Sequence, residues 1–202
     1  KKKPLIFHIM KHYAKYGFKE FYIAGGYKQE VIKKFFKKKF YDWKIKIIDT
    51  GEITMTGGRL KRLKKYLSNE TFMLTYGDGL SDVNLKKLLE FHKKNKNIAT
   101  LTSVRPPARF GAIKVRGKKV IYFKEKSRLD EGWINGGFFV FEPTIFKYIK
   151  NDKTYLERQP LELISKKNNL FAFKHDGFWQ CMDTIRDKEI LEKNFNKIFK
   201  KK

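Results

Sequence analysis

Thr71-Phe72-Met73-Leu74-Thr75-Tyr76-Gly77-Asp78-Gly79 is the stretch on which the fold turns. Its first half is a compact apolar run, strand-sized and without the polar alternation of a half-exposed strand, so it reads as a buried strand. Its second half stops that strand at a Gly-Asp-Gly turn, which sets the Asp78 carboxylate at the strand's C-terminal end. Open α/β sheets bind ligands beyond those ends, and the flanking Gly77 and Gly79 leave the backbone open to a ligand or metal. A Gly-Asp-Gly by itself is also a common solvated turn, so the sequence on either side has to decide.

Upstream, apolar positions at Leu5, Ile6, Ile9, Met10 and Tyr13 predict a helix over 4–16, followed by a strand over 18–24 ending in Gly25-Gly26. A lysine-faced helix follows over 29–40, then an alternating β-branched strand over 43–48, a glycine-rich loop over 49–58 and a short helix over 59–67. Downstream come a helix over 84–94 and a strand over 98–104. This alternation predicts a mixed, mostly parallel sheet covered on both faces, a three-layer α/β/α architecture. After Pro106-Pro107 the rhythm changes to successive strands over 111–115, 120–124 and 133–141. Helices over 143–149 and 160–166, a strand over 170–175 and a helix over 184–199, capped by Asp183 or Thr184, complete the chain.

The 202 residues suffice for one domain, and no repeat or Gly/Ser-rich linker divides them. The formal net charge is +26, yet 41% of residues are hydrophobic and 16% aromatic, enough apolar surface to exclude a disordered basic tail. Only eight of the 47 basic residues are Arg. Lysine solvates a surface, whereas nucleic-acid interfaces favour the bidentate Arg fork, so solvated helix faces are the better reading and no specific nucleic acid is expected. Cys181 stands alone, which excludes a disulfide framework and a cysteine zinc site and fits a reducing cytoplasm. No uncharged apolar stretch is long enough to span a bilayer, so no membrane partner is expected.

Several residues carry the chemistry. Asp183, in Trp179-Gln180-Cys181-Met182-Asp183-Thr184, is a helix cap when taken alone; paired with Asp78 it offers two carboxylates, the cradle that Mg²⁺ takes beside a polyphosphate. Thr54-Met55-Thr56-Gly57-Gly58-Arg59 ends at a predicted helix N-terminus, where free N–H groups favour an anion or a polar ligand edge, with hydroxyls from Thr54 and Thr56 and donors from Arg59. Glu125-Lys126 ends one strand and Asn135-Gly136-Gly137 interrupts another, as glycines do at a bulge or a close ligand approach. Asn and Glu side chains suit sugar hydroxyls. The four histidines have no metal-like spacing and are given no catalytic role.

Five segments then combine in order: Thr56 to Arg62, Thr75-Tyr76-Gly77-Asp78-Gly79, Arg109-Phe110-Gly111-Ala112, Ile134 to Val140 and Gly177 to Thr184. Together they closely resemble the glucose-1-phosphate cytidylyltransferases among the sugar nucleotidyltransferases, over nearly the whole chain. The resemblance implies an α/β/α nucleotidyltransferase fold and a single displacement in which glucose 1-phosphate attacks the α-phosphorus of CTP, giving CDP-glucose, a precursor in O-antigen biosynthesis, and pyrophosphate. Such a reaction needs alignment of two polyanions and neutralisation of the charge building on the reacting phosphorus. By position, Asp78 and Asp183 would hold Mg²⁺; Thr54, Gly58, Arg59 and Gly77 would meet the nucleotide; Glu125, Lys126, Asn135 and Gly137 would receive the sugar phosphate, with Lys126 on its anion.

The resemblance also marks three departures. The family opens with a strand and a glycine-rich loop ending in Thr-Arg, which this chain lacks, so residues 1–202 are expected to be one N-terminally truncated domain that turns over CTP poorly. The stretch between Tyr27-Lys28 and Asp49-Thr50-Gly51 is short, where a homo-oligomer contact would be made, and Ser127 replaces the usual Pro. Two alternatives stay open: a sister enzyme using UTP or dTTP, and a non-catalytic basic module binding nucleic acid or another polyanion.

Overall fold

The structure is a computed structural model and describes residues 3–37, 42–107, 112–125 and 132–199. Helix α1 (Leu5–Lys15) buries Phe7, Ile9, Met10 and Tyr13, the stripe expected of its 3.6-residue period. Strands β1 (Glu20–Gly25) and β2 (Lys44–Asp49) flank helix α2 (Gln29–Phe36) and pair in parallel, Glu20 to Lys44 through Gly25 to Asp49. Two short helices follow, α3 (Thr56–Arg62) and α4 (Lys64–Leu67). The first begins at Thr56, so Gly57-Gly58 lie in its opening turn and not in the loop ahead of it.

Strand β3 (Phe72–Thr75) forms on the apolar run, but as an edge strand it buries only Phe72 and leaves the other three residues half-buried, and after the Gly77-Asp78 turn the chain enters a strand the sequence did not announce, β4 (Gly79–Ser81). Helix α5 (Leu85–Asn95) is capped by Asn84, whose side chain accepts the N–H of Lys87 at 3.0 Å. Its Lys86, Lys87, Lys93 and Lys94 are exposed, as a solvated face requires. Then come β5 (Ala99–Val104), the hairpin β6 (Ala112–Arg116) and β7 (Lys119–Lys124), and β8 (Ile134–Phe141). A 3-10 helix at Pro143–Tyr148, helix α6 (Gln159–Lys166), β9 (Leu170–His175), a second unannounced strand β10 (Trp179–Cys181) and helix α7 (Ile185–Phe199) complete the order.

The central sheet runs β3-β8-β5-β9. β5 and β9 are parallel, and β8 is antiparallel to both β3 and β5. Three of its four strands therefore share a direction, and the expected parallel character is interrupted by one reversed strand inserted at its centre. Phe138-Phe139-Val140-Phe141 explains that placement, because only a central strand buries both faces. Phe138 and Val140 join Ile9, Tyr13, Leu88 and Trp179 in one core, while Phe139 and Phe141 join Leu60, Phe72, Ile145 and Ile164 in the other. Alternation along one strand thus builds two cores, with helices on either side.

Candidate active site

Strands β4 and β10 decide where the carboxylates go. They pair antiparallel, Gly79 against Cys181 and Trp179 against Ser81, and the N–H of Met182 donates to the carbonyl of Asp78 at 2.8 Å. The ladder brings Asp78 and Asp183 to one cavity of about 280 Å³, lined also by Tyr76, Asn135, Gly137 and Trp179. Both carboxylates are exposed, and a Cβ at Gly77 would meet nothing within 4 Å, so this rim is open. Cys181 Sγ, Asp183 and Asp187 also cluster, with ligand atoms within 4.8 Å of one another. Thiolate suits soft metals, and Asp187 accepts hydrogen bonds from Gln180 at 3.0 Å and from Thr184 N and Oγ1 as the cap of α7. What remains for a hard cation is the oxygen pair of Asp78 and Asp183, and that donor set fits Mg²⁺.

The far end of the ladder is clamped. Asp82 accepts the N–H of Phe178 at 2.7 Å and lies 3.0 Å from His175 Nε2, while Ser81 Oγ donates to the Phe178 carbonyl at 2.8 Å. Burial pushes the Asp82 carboxyl up, but the His175 and Phe178 contacts outweigh it and hold the group below the ordinary carboxylate value. A Cβ at Gly177 would come within 2.5 Å of both Asp82 and His175, so glycine is needed for the connection to close.

Asn135 and Gly137 also line this cavity, and the glycine there is explained by the protein itself. Gly137 has φ +74° and a Cβ there would lie 2.6 Å from the Tyr76 ring; the close approach is made by the protein's own tyrosine. Asn135 Oδ1 accepts the Gly137 N–H at 2.9 Å, and Tyr76 N–H donates to the Gly137 carbonyl at 3.1 Å. Glu125 is exposed just past β7 and does not line the cavity; Lys126 lies outside the described residues, as do Arg109, Phe110 and Gly111.

The expectation of free N–H groups at the 54–59 segment is corrected by the structure. Gly57 N–H and Gly58 N–H both donate to the Thr154 carbonyl, at 2.9 and 3.2 Å. A Cβ at Gly58 would lie 2.4 Å from the Asp152 carbonyl oxygen, so these glycines admit the 151–154 loop. Thr54 is buried, and the Arg59 guanidinium donates to Thr50 Oγ1 at 2.8 Å, Glu52 O at 3.0 Å and Gly25 O at 3.2 Å. Arg59 thus lies against Gly25-Gly26 and Thr54 against Gly58, and none of Thr54, Gly58 and Arg59 lines the cavity of Asp78.

Sequence reasoning missed Tyr76, which lines the cavity, Asp82, which clamps the far end of the ladder, and Glu157, which accepts the Tyr76 phenol. Tyr76 was legible as the neighbour of Gly77-Asp78; Asp82 and Glu157 carried no signal, because their partners are distant in sequence.

A three-layer fold around a reversed central strand sets paired carboxylates at adjacent strand ends, where α/β sheets take their ligands. The profile of the nucleotidyl transferase family matches residues 1–185, and the chain belongs to that family. It is 43% identical to glucose-1-phosphate cytidylyltransferase of Salmonella typhimurium, over 94% of this chain and 83% of that one. It is also 34% identical to D-glycero-alpha-D-manno-heptose 1-phosphate guanylyltransferase of Campylobacter jejuni, over 82% of this chain and 72% of that one. Among solved structures, HddC from Yersinia pseudotuberculosis superposes with a TM-score of 0.74 at 22% identity, covering 96% of this chain and 86% of its own, a likeness of fold. The family is one of enzymes, which decides against the non-catalytic module. Among the described residues, no helix is long and apolar enough to cross a membrane.

Proposed function

We propose that the chain is a sugar nucleotidyltransferase that makes CDP-glucose from CTP and glucose 1-phosphate. The observation that carries the reading is the cavity holding Asp78, Asp183, Asn135 and Gly137 in a chain 43% identical to a cytidylyltransferase. A phosphate oxygen of glucose 1-phosphate forms a bond to the α-phosphorus of CTP as the bond to pyrophosphate breaks. Asp78 and Asp183 would hold Mg²⁺ on the nucleotide side. When bound, the ion neutralises charge developing on the phosphoryl oxygens. Asn135 and the Gly137 backbone orient the sugar, and Glu125 and Lys126 are assigned to the sugar phosphate by the family resemblance. Thr54, Gly58, Arg59 and Gly77 form the nucleotide side. There Arg59 and Gly58 act through the shape they give the 49–58 segment, since their donors and surfaces are already engaged.

Pyrophosphate release with CTP, UTP and dTTP, each with glucose 1-phosphate and Mg²⁺, tests the reading. Release with CTP well above the other two is expected. Release with UTP or dTTP alone would replace it by the sister enzyme, and none with any nucleotide would refute it.

A further inference from the structure

We propose that Glu157 is a positioning residue that couples the nucleotide side of the site to the sugar-phosphate side, through hydroxyls of Thr56 and Tyr76; the kinetic part of this inference rests on the transferase reading above. The two oxygens of one carboxylate are divided between two elements. Oε2 accepts from Thr56 Oγ1 at 2.7 Å, and Oε1 accepts from the Tyr76 phenol at 2.5 Å.

Thr56 opens α3 directly after the 49–55 segment, and its Oγ1 already accepts the N–H of Leu156 at 2.9 Å. Its orientation is thereby fixed, with its proton directed to Glu157. Tyr76 adjoins Gly77-Asp78, its ring packs where Gly137 leaves room, and its backbone N–H donates to Gly137. Burial, reinforced by the bond to Glu157 and by its charge, pushes the phenol far above its ordinary value, while Asn135 opposes the rise. A carboxylate oxygen only accepts, so the phenol donates to it. Hydrogen bonds to an ionised acceptor are short and strong, so Glu157 is the joint between α3 and the cavity wall made by Tyr76, Asn135 and Gly137. Glu157 itself is exposed and supports no core. Ordering of the 54–59 segment by a nucleotide is passed through it to that wall, and by linkage the sugar phosphate tightens the nucleotide by the same factor.

The test compares Glu157→Ala, Glu157→Gln, Tyr76→Phe and the double variant Tyr76→Phe/Glu157→Ala. Each single loss is expected to raise KM for glucose 1-phosphate about tenfold, within the usual range of coupling between sites, with the melting temperature little changed. Glu157→Gln, which keeps one acceptor oxygen, recovers part of the loss, and the double variant is no worse than either single, as for partners in one network. Additive losses, an unchanged KM, or a Glu157→Ala loss that tracks melting temperature and is not rescued by Gln would overturn the proposal. A second readout needs no turnover: in tyrosine-labelled protein at neutral pH the Tyr76 ring resonance, identified by its absence in Tyr76→Phe, should shift in Glu157→Ala as the phenol loses its hydrogen bond to the carboxylate. No change there refutes the hydrogen-bonded triad. Absence of pyrophosphate release by the unaltered protein overturns the transferase reading and the coupling with it, and the Tyr76 resonance separately decides the triad.

Discussion

The N–H of Met182 donates to the carbonyl of Asp78 at 2.8 Å, and this one backbone bond ties together the strand ends that carry Asp78 and Asp183. It continues the β4–β10 ladder by one step beyond Gly79 and Cys181. Both carboxylates therefore face one cavity by backbone pairing, with no side-chain contact needed to bring them there.

Asp78→Asn and Asp183→Asn keep the shape of each side chain and remove its charge. Each is expected to lower kcat at least about 100-fold, the scale of losing an electrostatic contact made to the transition state, with melting temperature nearly constant because both residues are exposed. Chelation of divalent ions should give the same loss in the unaltered protein. Initial-rate measurement of pyrophosphate release checks all three, and full activity in Asp78→Asn would remove that residue from the metal site.

Gly58→Ala tests the account of the 54–59 segment. The added Cβ would come within 2.5 Å of Asp152 backbone atoms, which cannot move aside as a flexible side chain can. The cost of such overpacking is about 1–3 kcal/mol, and for a chain of this size the melting temperature drops about 2–4 °C per kcal/mol. Calorimetry reads this directly. An unchanged melting point would mean that the 151–154 loop does not dock as described.

Asp82→Ala removes the clamp on the connection into β10. Hydrogen exchange at the Phe178 amide, which donates to Asp82, should speed up, and KM for CTP should rise because Asp183 loses its anchored approach. Because the Asp82 pKa is lowered in the folded protein, its contribution is present above the unfolded carboxylate value and is lost as pH falls through the folded one. Exchange as slow as in the unaltered protein would sink this role.

His92 sets a second pH dependence. It is 1% exposed, with Nδ1 2.9 Å from Thr100 Oγ1 and Nε2 3.1 Å from Glu142 Oε1. Burial lowers its pKa despite the neighbouring carboxylate. The unfolded chain takes up a proton near pH 6.5 and the folded one resists, so stability present above that value declines as pH falls toward the folded pKa. Melting temperatures between about pH 8 and about pH 5, about one and a half units on either side of the reference value, should fall less steeply in His92→Gln. His8 and His12, also lowered by burial, leave a residual slope. Identical slopes in both proteins would refute the assignment to His92.

The sequence by itself determined the periodic elements and the carboxylate at the end of β3. Apolar spacing over Leu5 to Tyr13 and the unbroken run Phe72 to Thr75 are local signals, and both elements form where that spacing puts them. The motif order from Thr56 through Asp183 likewise carried the family. Only the tertiary structure decided that β8 enters the sheet reversed, that β4 and β10 exist, and that Glu157 meets both Thr56 and Tyr76. Three-residue strands have no period to detect, because they are stabilised by the ladder they make with each other. Glycines and charged groups are equally silent: Gly58 is explained by the Asp152 backbone, Gly137 by the Tyr76 ring and Arg59 by Thr50 and Gly25. Those partners come from other elements, and which atoms fill the space above a glycine or accept from a guanidinium is fixed only when the layers pack.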